Sequence, residues 1–144
     1  MSASNIVVEP FPRVRPRITS RNRHFWQAGA DGVLRLQRCQ ACGTYLHPPA
    51  PVCHTCRSMR VVPEAVSGRG VVYAYTVNHY QWLPDMEPPY VVALVELIEQ
   101  AGLRLLTNVV GCPVDGVRTG LEVEVVFARN GDVYVPLFRP IVRS

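Results

Sequence analysis

The sequence has no lysine. All fifteen of its basic residues are arginine, so no lysine amine is available for chemistry. Charged residues make up only 18% of the chain, which excludes a disordered acidic or basic polymer. No stretch approaches the roughly 18 uninterrupted apolar residues that a membrane helix needs. Residues 1–12 show no apolar run after a basic start, so no secretory signal is legible there, and the expectation is a soluble, cytoplasmic protein. No glycine-rich phosphate loop is present. Internal repeats and low-complexity tracts are also missing.

A catalytic constellation is lacking too. His79 stands beside Asn78, Tyr80 and Trp82, but no serine or cysteine lies near it in a nucleophile motif. A lone histidine at a strand end is most often a packing or hydrogen-bonding residue. Asp85 and Glu87 are neighbours in a proline-bearing stretch and read as solvated rather than as a working pair of carboxylates.

What is present fits one domain or two very small ones. Hydrophobic residues make up 48% of the 144, enough for a real core. Charge is unevenly spread. Residues 1–60 carry nine arginines against Glu9 and Asp31, and residues 61–144 carry six arginines against nine acids. The formal charge of +4 falls to about +2 if four thiolates bind one Zn²⁺. A nucleic-acid partner is therefore not implied by the basic balance.

Residues 1–19 interleave Pro10, Pro12 and Pro16 with Arg13, Arg15 and Arg17, which reads as an extended arm. Thr19 or Ser20 can cap a short helix running to Gln27 or Ala28, with Phe25 as its apolar anchor and Gly29 as its stop. A strand over 33–38 leads to the first cysteine pair. From Gly68 the pattern changes to period two, and strands are expected over 71–77, 90–99, 103–110, 121–128 and 133–138. Val71, Tyr73, Tyr75 and Val77 share a side that reads as core. Asn130-Gly131 is a strong hairpin signal. Five short strands in about 75 residues suit a small closed barrel, either an OB-fold or an SH3-like barrel. The organisation read from the chain is an arm at 1–19, a helix plus ribbon at 20–64 and a barrel at 65–144.

The most informative residues are cysteines. Cys39 and Cys42, then Cys53 and Cys56, form two Cys-x-x-Cys pairs separated by ten residues. Two residues between thiols let one tight turn aim both sulfurs at one ion, and Gly43 can take the positive φ that such a turn tends to need. Two facing pairs supply the closed tetrahedral set that structural zinc prefers. Iron in a rubredoxin-type site would use the same ligands. His47 and His54 are not needed as ligands, because four thiols suffice. Cys112 stands alone and reads as a buried free thiol.

The chain resembles a zinc-ribbon/OB-fold family of acyl-CoA-associated proteins, long described as a domain of unknown function. The resemblance rests on Phe25-Trp26, on Leu34 through Cys39, on Cys42-Gly43 with Pro48-Pro49 leading to Cys53 and Cys56, on Gly68 through Val77, on Pro89 through Val95, and on Pro136-Leu137-Phe138-Arg139-Pro140. It implies a mostly β protein, with a short N-terminal helix and rubredoxin-like zinc ribbon followed by a five-stranded OB-fold barrel.

It also implies an accessory subunit that is not catalytic alone. Such a subunit binds a thiolase-like enzyme, such as a steroid side-chain aldolase or an acyl-CoA thiolase, and helps hold an acyl-CoA thioester, with a fused or bound hydratase in some relatives. On that reading Arg13, Arg15, Arg17, Arg21, Arg23 and His79 are candidate contacts to CoA phosphates or to the partner. The competing reading is a single-stranded nucleic-acid binder, which both ribbons and OB-folds can be. It is weakened by the acidic barrel half and by Arg104 being the lone arginine inside an expected barrel strand.

Overall fold

The structure, a computed structural model, describes the backbone of residues 6–8 and residues 15–84 and 86–142. Along the chain run β1 (Ile6–Val8), α1 (Arg23–Gln27), a 3-10 turn (Ala28–Asp31), β2 (Arg35–Cys39), β3 (Tyr45–Leu46), β4 (Val61–Ala65), β5 (Arg69–Asn78), β6 (Tyr90–Leu97), β7 (Arg104–Val109), a 3-10 turn (Val114–Gly116), β8 (Glu122–Asn130) and β9 (Val133–Pro140). Strands β3, β2 and β4 form a small antiparallel sheet, the ribbon.

Strands β5 to β9 and the short β1 form the second sheet, in the order β1-β8-β5-β6-β7-β9, with β1 added parallel to β8 outside the five barrel strands. It closes on itself because β9 also pairs with β8. The closing contact between β7 and β9 is parallel, at Val109 and Phe138. A five-stranded barrel closed in this order is the OB-fold, which decides between the two barrels that the strand pattern allowed.

Alternation builds the barrel core. β6 exposes and buries its residues strictly in turn, placing Val91, Ala93, Val95 and Leu97 inside. Val123, Val125 and Phe127 of β8 join them, with Glu122 and Glu124 facing the other way. β5 departs from its expected phase. The register slips between Val72 and Ala74, so Tyr73 is an extra residue against β6. Val72 is fully buried, while Tyr73 and Tyr75 remain 47% and 40% exposed. The expectation that both tyrosines are core is therefore wrong. The inward residues before the β-bulge are Gly70 and Val72, so Val71 and Tyr73 fall outside the core, and the bulge then shifts the phase so that Tyr75 pairs with Ala93.

The helix ends at Gln27 as expected but starts later than its expected caps, Thr19 or Ser20. α1 begins at Arg23 after Asn22, and the side chain of Asn22 accepts a hydrogen bond from the Thr19 N–H at 2.7 Å. The chain tightens into the 3-10 turn and stops at Gly32, whose φ is +71°. Gly29 does not end the helix; it lies against the barrel. A Cβ there would fall 2.5 Å from both the Phe127 ring and Tyr134 Cβ. Hydrogen there is what lets the helix sit over β8 and β9.

Ribbon, helix and barrel share one apolar cluster, since Phe25, Leu34 and Leu36 belong to the same core as Val72, Val123 and Phe138. A polar clamp reinforces the seam. The Gln100 side chain accepts a hydrogen bond from Tyr45 N–H at 2.8 Å and donates one back to Tyr45 O at 3.2 Å. Next to it, Glu99 accepts from the Ser67 N–H at 2.7 Å. His47 packs its ring on Phe25, with centroids 4.7 Å apart.

Two outcomes are expected. Gly29→Ala should lower stability by about 1–3 kcal/mol in denaturant unfolding, through overpacking against Phe127 and Tyr134. His47 titrates at about 4 in the folded chain, because of burial and then repulsion from His24, against 6.5 for a free histidine. As pH falls below 6.5 the unfolded chain takes up this proton first, so stability should drop by about 3 kcal/mol between pH 6.5 and 4 and level off below that. His47→Gln should remove this part of the pH slope in unfolding curves; an unchanged slope would contradict the assignment.

Candidate metal centre

The two cysteine pairs sit on two turns built alike. In the first, Cys39 N–H donates to Thr44 O at 2.8 Å, Gly43 N–H to Cys39 O at 2.9 Å and Ala41 N–H to Cys39 Sγ at 3.4 Å. In the second, Cys53 N–H donates to Ser58 O at 2.9 Å, Arg57 N–H to Cys53 O at 2.9 Å and Thr55 N–H to Cys53 Sγ at 3.4 Å. The offsets along the chain are the same in both. Each turn needs a left-handed residue just after its second cysteine. Gly43 takes φ +83° at little cost, whereas Arg57 takes φ +65° as the one non-glycine with positive φ among the described residues.

The four sulfurs converge. All lie within 4.8 Å of one another, with Cys39 and Cys56 at 3.5 Å and Cys42 and Cys53 at 3.6 Å. A zinc–sulfur bond of about 2.3 Å gives a tetrahedron edge of about 3.8 Å, so these spacings suit a Cys₄ site. Cys39 and Cys53 are buried, while Cys42 and Cys56 face solvent. The site is therefore sealed on one side and open on the other.

Electrostatics point the same way. Burial opposes ionising Cys39, but N–H groups of Cys42 and Ala41 and the neighbouring thiols of Cys56 and Cys42 outweigh it and bring the group to about 6. At Cys56 the Ser58 N–H favours the thiolate, yet crowding by Cys39, burial, and the Cys42 and Cys53 sulfurs push it up to about 12. Cys53 is lowered too, chiefly by the Cys56 N–H, so two thiolates are favoured and the one at Cys56 is resisted. A dication among them removes that resistance, so the donor set fits a metal.

The other sequence candidates do not gather at this site. Arg15 pairs with Asp132 and donates to Asn130 O at 3.2 Å, at the β8–β9 hairpin. Arg23 reaches Gln27 at 3.5 Å, and Arg17 and Arg21 are exposed. His79 is exposed beyond the end of β5. Arg13 lies outside the described residues, as do Pro10, Pro12 and Asp85. Cys112 is half-buried, and burial together with Asp115 raises its pKa, so it is a poor nucleophile.

The sequence reading also placed too few arginines in barrel strands. Arg69, Arg129 and Arg139 lie in strands as well as Arg104. Arg104 and Arg139 are paired with Glu96 and Glu124, each at 3.0 Å. Arg129 lies over the Tyr134 ring. What sequence reasoning missed outright is the hydroxyl residue two positions past each pair, Thr44 and Ser58, whose carbonyls close the turns. The repeat Cys-x-x-Cys-x-Thr and Cys-x-x-Cys-x-Ser was a signal in plain view.

Comparison with known proteins agrees with this architecture. Residues 26–61 match the ChsH2 rubredoxin-like zinc ribbon domain, and residues 63–128 the ChsH2 C-terminal OB-fold domain. A probable enoyl-CoA hydratase alpha subunit of Thermomonospora curvata is 41% identical over 90% of this chain, which spans 40% of that protein. A 3-oxo-4,17-pregnadiene-20-carboxyl-CoA hydratase alpha subunit of Mycobacterium tuberculosis is 32% identical over 83% of this chain and 38% of its own length. A DUF35 domain-containing scaffold protein of Methanocaldococcus jannaschii is 37% identical over 72% of this chain and 79% of its own. The chain thus spans about two fifths of the hydratase subunits and most of the scaffold protein. Among solved structures, a chain of an Ltp2-ChsH2(DUF35) aldolase is 41% identical with a TM-score of 0.80, covering 89% of this chain and all of that one.

Chelation should act on the ribbon first. Removing metal is expected to speed hydrogen exchange in residues 33–64 before the barrel, since the open Cys42/Cys56 side gives a chelator access. Cys39→Ser should release the metal by elemental analysis. Exchange lost everywhere at once would contradict that order.

Proposed function

The chain belongs to the ChsH2/DUF35 family of zinc-ribbon and OB-fold proteins, and from that premise we propose that it is a non-catalytic accessory subunit of a thiolase-like acyl-CoA enzyme. Its ribbon holds one structural zinc through Cys39, Cys42, Cys53 and Cys56. The observation that carries the reading is the match to the ChsH2(DUF35) chain of the solved aldolase, at 41% identity over the whole of that chain. A side-chain-shortening aldolase acting on a steroid-derived CoA thioester is the favoured partner, in keeping with the pregnadiene-carboxyl-CoA hydratase among the relatives. A hydratase, fused or bound, is a second partner on the same grounds.

The residues support a supporting role. Among the described side chains, His47 is occupied with Phe25, and the Cys112 thiol is held in its protonated form. His79 stands exposed in a loop, away from any cysteine or serine of a nucleophile motif. The groups that break or form the carbon–carbon bond belong to the partner. This chain's contribution is shape, and arginine charge toward the CoA phosphates. Arg17, Arg21 and Arg23 are exposed and suited to that task, and Arg13 is a further candidate from the sequence. Arg15 is committed to Asp132. A nucleic-acid role finds little support, because Arg104 and Arg139 are neutralised by glutamates on the barrel.

The test is co-expression with a thiolase-like protein encoded near this chain, followed by size exclusion with light scattering. A stable hetero-complex that cleaves an acyl-CoA thioester, with neither component active alone, is the expected result. A chain that elutes unbound with every such protein overturns the reading.

A further inference from the structure

The loop between β5 and β6 carries two aromatic side chains that the barrel does not use. Tyr80 is 63% exposed and Trp82 69%, and their rings meet at a centroid distance of 4.5 Å. Large aromatics left in water usually float; these are held. Trp82 Nε1–H donates to Asn78 Oδ1 at 2.9 Å, and Asn78 Nδ2–H donates to Tyr80 O. Gln81 Nε2–H bridges Leu83 O at 3.2 Å and Pro84 O at 2.6 Å, and the Met86 N–H returns to Leu83 O. The ordering cost that an anchor would meet on binding is therefore already largely met in the free chain.

The loop stands at one end of an apolar outer face. Register places Ala74, Leu94 and Leu106 in one row across β5, β6 and β7, and Thr76, Val92 and Asn108 in the next row toward the loop. Leu106 is 73% exposed. At the far end Tyr73 lies under the Arg104 guanidinium, 3.6 Å from ring centre to Cζ, and that arginine is already paired with Glu96.

Charge narrows what can cover this surface. Residues 78–90 contain the exposed Glu87 and no arginine, and the sheet face adds the neutral Arg104–Glu96 pair and, at the end of β5 away from the loop, the exposed Arg69. Nucleic acid and anionic lipid both demand free cations here. An apolar protein pocket rimmed with basic side chains matches both the rings and the acidic edge, and Trp and Tyr are the residues that most often dominate protein interfaces.

We propose that the Tyr80–Trp82 loop and the outer face of β5 to β7 are the surface that grips the thiolase-like subunit, with Trp82 as the anchor. This rests on the accessory-subunit reading above and says which side of the molecule serves it. The β6–β7 turn at Gln100 clamps the ribbon at the opposite end of β6 from the loop, so the zinc site braces the barrel and need not face the partner.

The experiment titrates the zinc-loaded full chain against the purified thiolase-like subunit by calorimetry, using wild type, Trp82→Ala and Leu106→Glu. Each substitution should weaken binding at least tenfold, with zinc content and unfolding midpoint unchanged. Wild-type binding with both variants within twofold overturns this surface and leaves the accessory-subunit reading standing. A wild type that does not bind at all defeats that reading, and this assignment with it. Light scattering that shows a wild-type homodimer dissolved by Trp82→Ala gives the face to a second copy, and an oligonucleotide shift lost in Trp82→Ala gives it to nucleic acid. Either result overturns the proposal.

Discussion

Four sulfurs within 4.8 Å of one another cannot all carry charge unless a cation sits among them. The ribbon is organised around that constraint. Its own apolar cluster is small, consisting of Cys39, Leu46 and Cys53 with Val61 against them. Two of those four are also metal donors, so the ligands stand where a larger domain would place leucines. A segment with so little burial does not hold two tight turns by packing alone. Coordination of an ion by the four sulfurs would replace the missing core, and the paired N–H···S contacts suit each turn to receive it.

What the ribbon gains in order it passes on. Leu34, just before β2, and Leu36 within it enter the cluster that includes Phe25 and the barrel valines, so the sheet that leads into the cysteine cluster also closes the barrel's flank. The Gln100 clamp then copies a strand pairing with a side chain, bonding both the N–H and the carbonyl of Tyr45. Helix, ribbon and barrel therefore meet along one continuous seam. On the other side the barrel offers a stiff aromatic loop and an apolar face, which is where a partner can be held without disturbing the metal.

Much of this was legible in the residues. The cysteine spacing foretold the four-sulfur cluster because thiol geometry is local: two intervening residues fix a turn whatever surrounds it. Strand positions followed from period-two burial, and β6 keeps that period without a break. In β5 the reading took the wrong phase, as at Tyr73, because apolar residues stand on both faces there and the buried partner of Val72 is a glycine, with a bulge that carries no compositional mark just beyond. The helix ends at Gln27 as expected, but the role of Gly29 was misread, because a glycine can serve a left-handed cap or a close approach. Gly29 and Gly32 divide those jobs in a way that only the neighbours Phe127 and Tyr134 explain. The arginines were the least legible. Their partners, such as Asp132 for Arg15 and Glu124 for Arg139, lie far along the chain or across a sheet.

The hydrogen bonds between Gln100 and Tyr45 span fifty-five residues, whereas every contact that shapes the cysteine turns lies within a short stretch of chain. A ribosome delivers residues in order. The ribbon can emerge and capture its ion while β7, β8 and β9 are still unmade. The barrel cannot close until β9 arrives to sit between β7 and β8. A metal ion supplied during synthesis would then give the seam a finished surface before the barrel closes.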